Sequence, residues 1–199
     1  MNNLGIIGCG GHAKAVKWIT DSYDYDKVIF YDEEVNNCIN NFNESISYKF
    51  SDYEKLKEVD EFIIAIGNNK IRKKYFDILT KEKFKIATLI HPTSIISKQA
   101  KIGKGVVIMP NSVIGQYAEI GDGVIVNTSV VIEHDAKIGN FSHIAPNATL
   151  CGEVVINELC LIGASSVLIP GITVNSNSTI GAGSTVVKDV KKNSTFYGS

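Results

Sequence analysis

The chain has 199 residues, with 20 Lys or Arg against 21 Asp or Glu, for a formal net charge of −1. No basic stripe interrupts this balance, which argues against nucleic acid as a partner. The start Met-Asn-Asn-Leu-Gly lacks a basic leader and there is no run of 18 apolar residues, so neither a secretory signal nor a membrane span is expected.

Leu4–Ile7 reads as a buried strand, Gly8-Cys9-Gly10-Gly11-His12-Ala13 as a glycine-rich turn, and Lys14–Thr20 as the helix it opens. Lys27–Tyr31 is a second strand, closed by Asp32-Glu33, whereas Asn36–Lys49 is too irregular to assign. Tyr53–Val59 is helical, Glu61–Ile66 is a third strand running into Gly67-Asn68-Asn69, Ile71–Glu82 is an amphipathic helix, and Lys85–Ile90 is a fourth strand. Alternation of strands and helices predicts a small parallel sheet. Gly8, Gly10 and Ala13, followed by Asp32 at the end of the next strand, approach the dinucleotide fingerprint. Glycines admit a diphosphate to the backbone, and the helix N-terminus offers it N–H groups. Four strands make only one mononucleotide-binding half, so a nucleotide-sugar diphosphate suits the site better than NAD.

From Ile90 to Val186 every sixth residue is Ile, Leu or Val, seventeen in succession. Neither a helix nor a lone strand has that period; a repeated strand-plus-turn unit does. In Asn111-Ser112-Val113-Ile114-Gly115-Gln116, the aliphatic residue and the small one two before it share a strand face. That face points inward, and Gly, Asn and Asp serve the corners. The expected architecture is therefore a Rossmann-like α/β domain over 1–89 and a parallel β-helix over 90–199, with Lys188–Ser199 covering the open end. Cys9, Cys38, Cys151 and Cys160 show no zinc-like spacing, and Cys160 falls in an inward slot. Reduced thiols in a cytoplasmic protein are expected.

Of the four histidines, His134 lies two residues past an inward Ile and His143 immediately before one, so both face outward. Nine residues apart, they stand half a coil from each other if a coil holds 18 residues, and they then meet only where neighbouring β-helices pack together, pointing to a symmetric oligomer. His91, before Pro92, reads as structural.

The chain resembles the bacterial nucleotide-sugar acetyltransferases of the hexapeptide-repeat acyltransferase superfamily. That family includes UDP-4-amino-sugar N-acetyltransferases of the bacillosamine pathway, perosamine N-acetyltransferases and sialic acid O-acetyltransferases. The likeness rests on Gly8-x-Gly10-Gly11-His12, Ala65-Ile66-Gly67-Asn68-Asn69-Lys70-Ile71-Arg72, Leu89-Ile90-His91-Pro92, Asn127-Thr128-Ser129, Ile132-Glu133-His134-Asp135 and Phe141-Ser142-His143-Ile144. It implies a left-handed β-helix, the hand opposite to ordinary crossovers, wound with three hexapeptides per coil. It also implies a homotrimer with active sites between subunits, and direct acetyl transfer from acetyl-CoA, without a metal, to the 4-amino group of a UDP-4-amino-4,6-dideoxy sugar. His134 is then the general base and Asp135 its orienting acid, where the family usually has Glu. Gly8, Gly10, Gly11, His12, Asp32, Ile66, Gly67, Asn68 and Asn127 face the acceptor. His143, Gly152, Gly163, Ala164, Gly181 and Ala182 face acetyl-CoA, with the Gly152 N–H on the thioester oxyanion. The end at Tyr197-Gly198-Ser199 departs from the Pro-Ala-Lys/Arg tail usual beside CoA. Other readings are a GDP-perosamine or sialic acid acceptor, a zinc-dependent γ-type carbonic anhydrase, and a non-catalytic nucleotide sensor.

Overall fold

The computed structural model describes residues 2–42 and 46–198. It separates into two units, Met1–Leu89 and Ile90–Ser199. No helix among the described residues is long and apolar enough to cross a membrane.

In the first unit, strands β1 (Asn3–Ile7), β2 (Lys27–Tyr31), β3 (Ser47–Tyr48) and β4 (Glu61–Ile64) are each followed by a helix, α1 (Gly11–Thr20), α2 (Val35–Asn41), α3 (Tyr53–Leu56) and α4 (Asn69–Lys81). All pairings are parallel, in the order β3-β2-β1-β4, with Ile7 opposite Tyr31 on one side and Ile64 on the other. Every residue of β1 is buried, as befits a parallel strand covered on both faces. The order reverses at β1, and such a reversal opens a crevice at the carboxyl ends of the strands.

Several expectations change here. The unassigned stretch Asn36–Lys49 contains β3 and most of α2, while residues 43–45 lie outside the described residues. Lys85–Ile90 is not a continuous strand. Ile86 makes a single parallel bridge to Phe62, and Leu89–Ile90 forms a separate short strand. After α4 ends at Lys81 the chain turns through Lys83, at φ 61°, and Phe84, which leaves too few residues for a full ladder beside β4. Cys9 and Cys38 are joined in a disulfide, with Cα atoms 5.0 Å apart across 29 positions of sequence, so the thiols are not all reduced. Linear spacing hides this pair because the end of β1 and helix α2 become neighbours only when β2 lies alongside β1.

The second unit is a left-handed parallel β-helix. Pairing advances by 18 residues per coil, placing Ile102, Ile120, Ile138 and Ile156 in one column. Three parallel sheets of five, seven and six strands form the walls. Inward Ile114, Val126, Ile132, Ile144 and Leu150 are at most 1% exposed; each such side chain contributes about 1.5–3 kcal/mol of burial. Cys160 is part of this core, and burial pushes its thiol up. The small inward serines are buried and satisfied: Ser112 Oγ donates to Asn127 O at 2.9 Å and Ser142 Oγ to Asn157 O at 2.8 Å.

Successive corners place one residue at positive φ, six apart, among them Asn111, Tyr117, Gly123, Ser129, Asp135, Phe141 and Asn147. Tyr117, Phe141 and Leu159 show that Gly, Asn and Asp are not required there. The left-handed region costs such residues roughly 1–2 kcal/mol each, offset by bonds to the preceding coil. Phe141 N–H donates to Asp122 O at 2.8 Å and Leu159 N–H to Asn140 O at 2.9 Å. The C-terminal segment packs Phe196 against the core of the coil. It winds on as a coil shortened by two residues, pairing Thr179 with Thr195 and Val174 with Val190, and Ser199 lies outside the described residues.

Replacing core Ile144 by Ala is expected to cost about 2–5 kcal/mol. The same change at exposed Thr185 is expected to stay within about 0.5 kcal/mol, both read by denaturant unfolding.

Candidate active site

A cavity of about 380 Å3 lies at the carboxyl ends of β1 and β4. Gly8, Gly10, Gly11, His12, Asp32, Ile66 and Gly67 line it, and Tyr31, Ile71 and Tyr75, which the dinucleotide fingerprint does not include, do so as well. Gly8 takes φ 101°, and a Cβ there would fall 2.7 Å from Ile66 Cγ1, so the two loops touch at a place only glycine permits. At Gly10 and Gly11 a Cβ would meet nothing within 4 Å, leaving open space at the start of α1, whose cap has no side-chain hydrogen bond. A diphosphate suits such an open helix end.

Asp32 closes this loop rather than only facing the cavity. Its Oδ2 accepts from Cys9 N–H at 3.0 Å and its Oδ1 from Glu34 N–H at 3.1 Å, while Asn41 Nδ2 donates to Cys9 O at 2.8 Å. Asn68 does not line the cavity. Its side chain accepts from Lys70 and Ile71 N–H, both at 3.1 Å, as the cap of α4.

In the β-helix, His134 follows the wall strand Val131–Ile132, and the corner residue Asp135 stands beside it at φ 59°. His134 Nδ1 lies 2.9 Å from Asp135 Oδ2, with side chains 57% and 54% exposed. The hydrogen bond to Asp135 holds the imidazole above its ordinary pKa, helped by the charges of Asp135, Glu133 and Glu153. With Nδ1–H given to the carboxylate, Nε2 keeps the lone pair, the state a proton acceptor needs. Glycines of the adjacent coils flank the residue. A Cβ on Gly152 would fall 2.6 Å from Nε2 and Cε1 of the ring, and one on Gly115 would fall 2.8 Å from the His134 backbone nitrogen. Sequence reading placed Gly152 near the reacting carbonyl; the structure also makes its missing side chain the space occupied by the histidine ring.

His143 lies on a different wall, in His143–Ile144, with Nε2 3.2 Å from Asn127 Nδ2. Asn127 Oδ1 accepts from Thr128 N–H at 2.8 Å, which turns its amide NH2 toward the ring. Within the chain, then, His134–Asp135 and Asn127–His143 form two separate pairs. Gly163 and Gly181 stack one coil apart: a Cβ on Gly163 would fall 2.5 Å from Ala182 N. Gly181 is buried beneath the Tyr197 ring, whereas Ala182 is exposed and Ala164 half-buried. His91, 9% exposed, accepts from Thr93 N–H at 3.2 Å through Nδ1, an arrangement that serves the backbone. Among the described residues, no three His, Cys, Asp or Glu side chains gather to hold a metal ion.

Exchanging Asp135 for Asn removes the charge that favours imidazolium, so the His134 titration midpoint, followed by proton NMR, is expected to fall. Gly152→Ala is expected to displace the ring from Asp135 and lower that midpoint in the same direction, while leaving cooperative unfolding intact.

The PglD N-terminal domain family matches residues 3–79, and the bacterial transferase hexapeptide family (six repeats) matches residues 117–152. The acetyltransferase domain of PglB from Neisseria gonorrhoeae FA1090, solved in complex with acetyl coenzyme A, is 32% identical with a TM-score of 0.92, covering 100% of this chain and 97% of that one. PerB from Caulobacter crescentus, solved with CoA and GDP-perosamine, is 29% identical with a TM-score of 0.86, covering 96% and 91%. The UDP-N-acetylbacillosamine N-acetyltransferase of Bacillus subtilis (strain 168) is 33% identical over 110 residues, 54% of this chain, and the match spans about half (51%) of that relative's length. Because the acetyltransferase domain of PglB is 32% identical and is covered over 97% of its length, the chain belongs to the nucleotide-sugar acetyltransferase family of the hexapeptide-repeat superfamily.

Proposed function

We propose that this protein transfers an acetyl group from acetyl-CoA to the 4-amino group of a UDP-4-amino-4,6-dideoxy sugar, giving a product of the UDP-N-acetylbacillosamine type. The observation that carries the reading is the His134–Asp135 pair, whose imidazole is bonded at Nδ1 and set above Gly152. The neutral amine attacks the thioester carbonyl, the C–N bond forms and the C–S bond breaks. His134 Nε2 takes the proton the nitrogen sheds and passes it to the departing CoA sulfur, which leaves as a thiol. Asp135 holds the tautomer and stabilises the imidazolium. The Gly152 N–H serves the carbonyl oxygen as its negative charge grows. Asn127 and His143 position the acceptor and the acetyl end, and the stacked edge at Gly163, Ala164, Gly181 and Ala182 takes the pantetheine arm. Gly8, Gly10, Gly11, His12, Asp32, Ile66 and Gly67 hold the UDP-sugar; Asn68 contributes by fixing α4.

The two histidine pairs lie on different walls, which favours a homotrimer with sites between subunits. Apolar side chains on the outer face of the wall before His134, Ile95 at 67% and Val167 at 38% exposure, favour prism-to-prism contact. Acetyl-CoA and sugar nucleotides are metabolites of the cytoplasm, where we place the reaction. A second reading, a GDP-linked 4-amino sugar, draws on the likeness to PerB.

Release of free thiol from acetyl-CoA across a panel of amino-sugar nucleotides tests the proposal, with UDP-4-amino-4,6-dideoxy sugars expected to turn over fastest. A larger thermal shift with GDP than with UDP would favour the second reading. His134→Ala is expected to lose about 10²–10⁴-fold in turnover while binding both ligands. Retention of most activity would remove the base assignment. Light scattering is expected to report a particle of three chains.

A further inference from the structure

The buried face of α4 is formed by Arg72, Phe76 and Leu79. An arginine occupies a position whose spacing calls for an aliphatic residue, and it is 1% exposed, while neighbouring Ile71 is 46% exposed at the cavity. The guanidinium is used at both ends of its fork. Nη1 donates to Ile66 O at 2.9 Å and to Gly67 O at 3.0 Å, and Nη2 donates to Asn69 Oδ1 at 2.8 Å. Ile66 and Gly67 form one wall of the cavity, the wall against which Gly8 packs. Burial pushes the guanidinium down to about 9, the signature of a cation removed from water. A plug alone would be better made by Leu or Met, since burying a charge is costly. A buried cation behind a thin backbone wall is weakly screened and acts on any anion on the far side.

We propose that Arg72 is the positioning residue of the phosphate subsite in this cavity: it holds the Ile66–Gly67 wall, and its charge selects a nucleoside diphosphate over an uncharged nucleoside. This rests on the reading that the cavity takes a nucleoside diphosphate.

Calorimetric binding of UDP and of uridine to the full-length protein separates charge from shape. Arg72→Gln is expected to weaken UDP by about tenfold or more, as a weakly screened charge implies, and uridine by no more than about twofold. Arg72→Lys keeps the charge without the fork and is expected to recover part of the UDP preference. In turnover, Arg72→Gln is expected to raise KM for the sugar nucleotide while leaving kcat and the KM for acetyl-CoA near wild type. If Arg72→Gln does not fold, Asn69→Asp sets a carboxylate on the same guanidinium, and it is expected to weaken UDP while sparing uridine. Equal losses for UDP and uridine, or UDP affinity unchanged in the folded variants, would overturn the proposal. A wild-type protein that binds neither UDP nor GDP would instead sink the nucleotide reading, and this proposal with it.

Discussion

Parallel pairing of each residue with the one 18 positions on governs the β-helix. It stacks inward aliphatics into continuous columns, and it also stacks the corners, so whatever a corner holds is set directly above and below another. His134 is a product of that stacking. It lies between Gly115 of the coil before, against its backbone, and Gly152 of the coil after, against its ring, and it sits next to a corner residue, Asp135, whose positive φ the coil imposes whether or not a reaction is present. The geometry proposed for catalysis needs little special strain, because the coil places a residue at positive φ at successive corners from Gly105 to Gly183.

The first unit builds its candidate binding crevice by a different route. Parallel strands whose order reverses at β1 leave a crevice, and the residues there are tied to one another. Asp32 accepts from the Gly-rich loop, Asn41 donates to it, the Cys9–Cys38 bond joins it to α2, and Arg72 pins the opposite wall. A loop rich in glycine loses more conformational freedom on ordering than any other. These ties place that cost in folding rather than in ligand binding.

Legibility differed between the two units for a physical reason. In the β-helix each hexapeptide performs one task, so the six-residue period identified the inward columns and put His134 and His143 outside. The corners were read less well, since Tyr117, Phe141 and Leu159 adopt positive φ under hydrogen bonds from the coil before. No local propensity announces such tertiary override. In the first unit, Lys85–Ile90 had the composition of one strand, but Ile86 makes a single bridge to Phe62 and Leu89–Ile90 forms a short strand of its own. Arg72 was visible as a basic residue in register with Phe76 and Leu79, although an amphipathic pattern is ordinarily read for its apolar members.

The sequence by itself determined the repeat, the division of labour between a glycine-rich α/β segment and a coil, and the residue types at the candidate site. It did so because burial periodicity and backbone permissiveness are properties of single residues and short spacings. Only the tertiary structure decided that Cys9 meets Cys38, that Gly152 lies against the His134 ring, that Asn68 caps a helix instead of facing the cavity, and that Arg72 lies buried behind the cavity wall. Those are contacts between segments remote in sequence or choices among competing partners, and they arise only once the strands are in register.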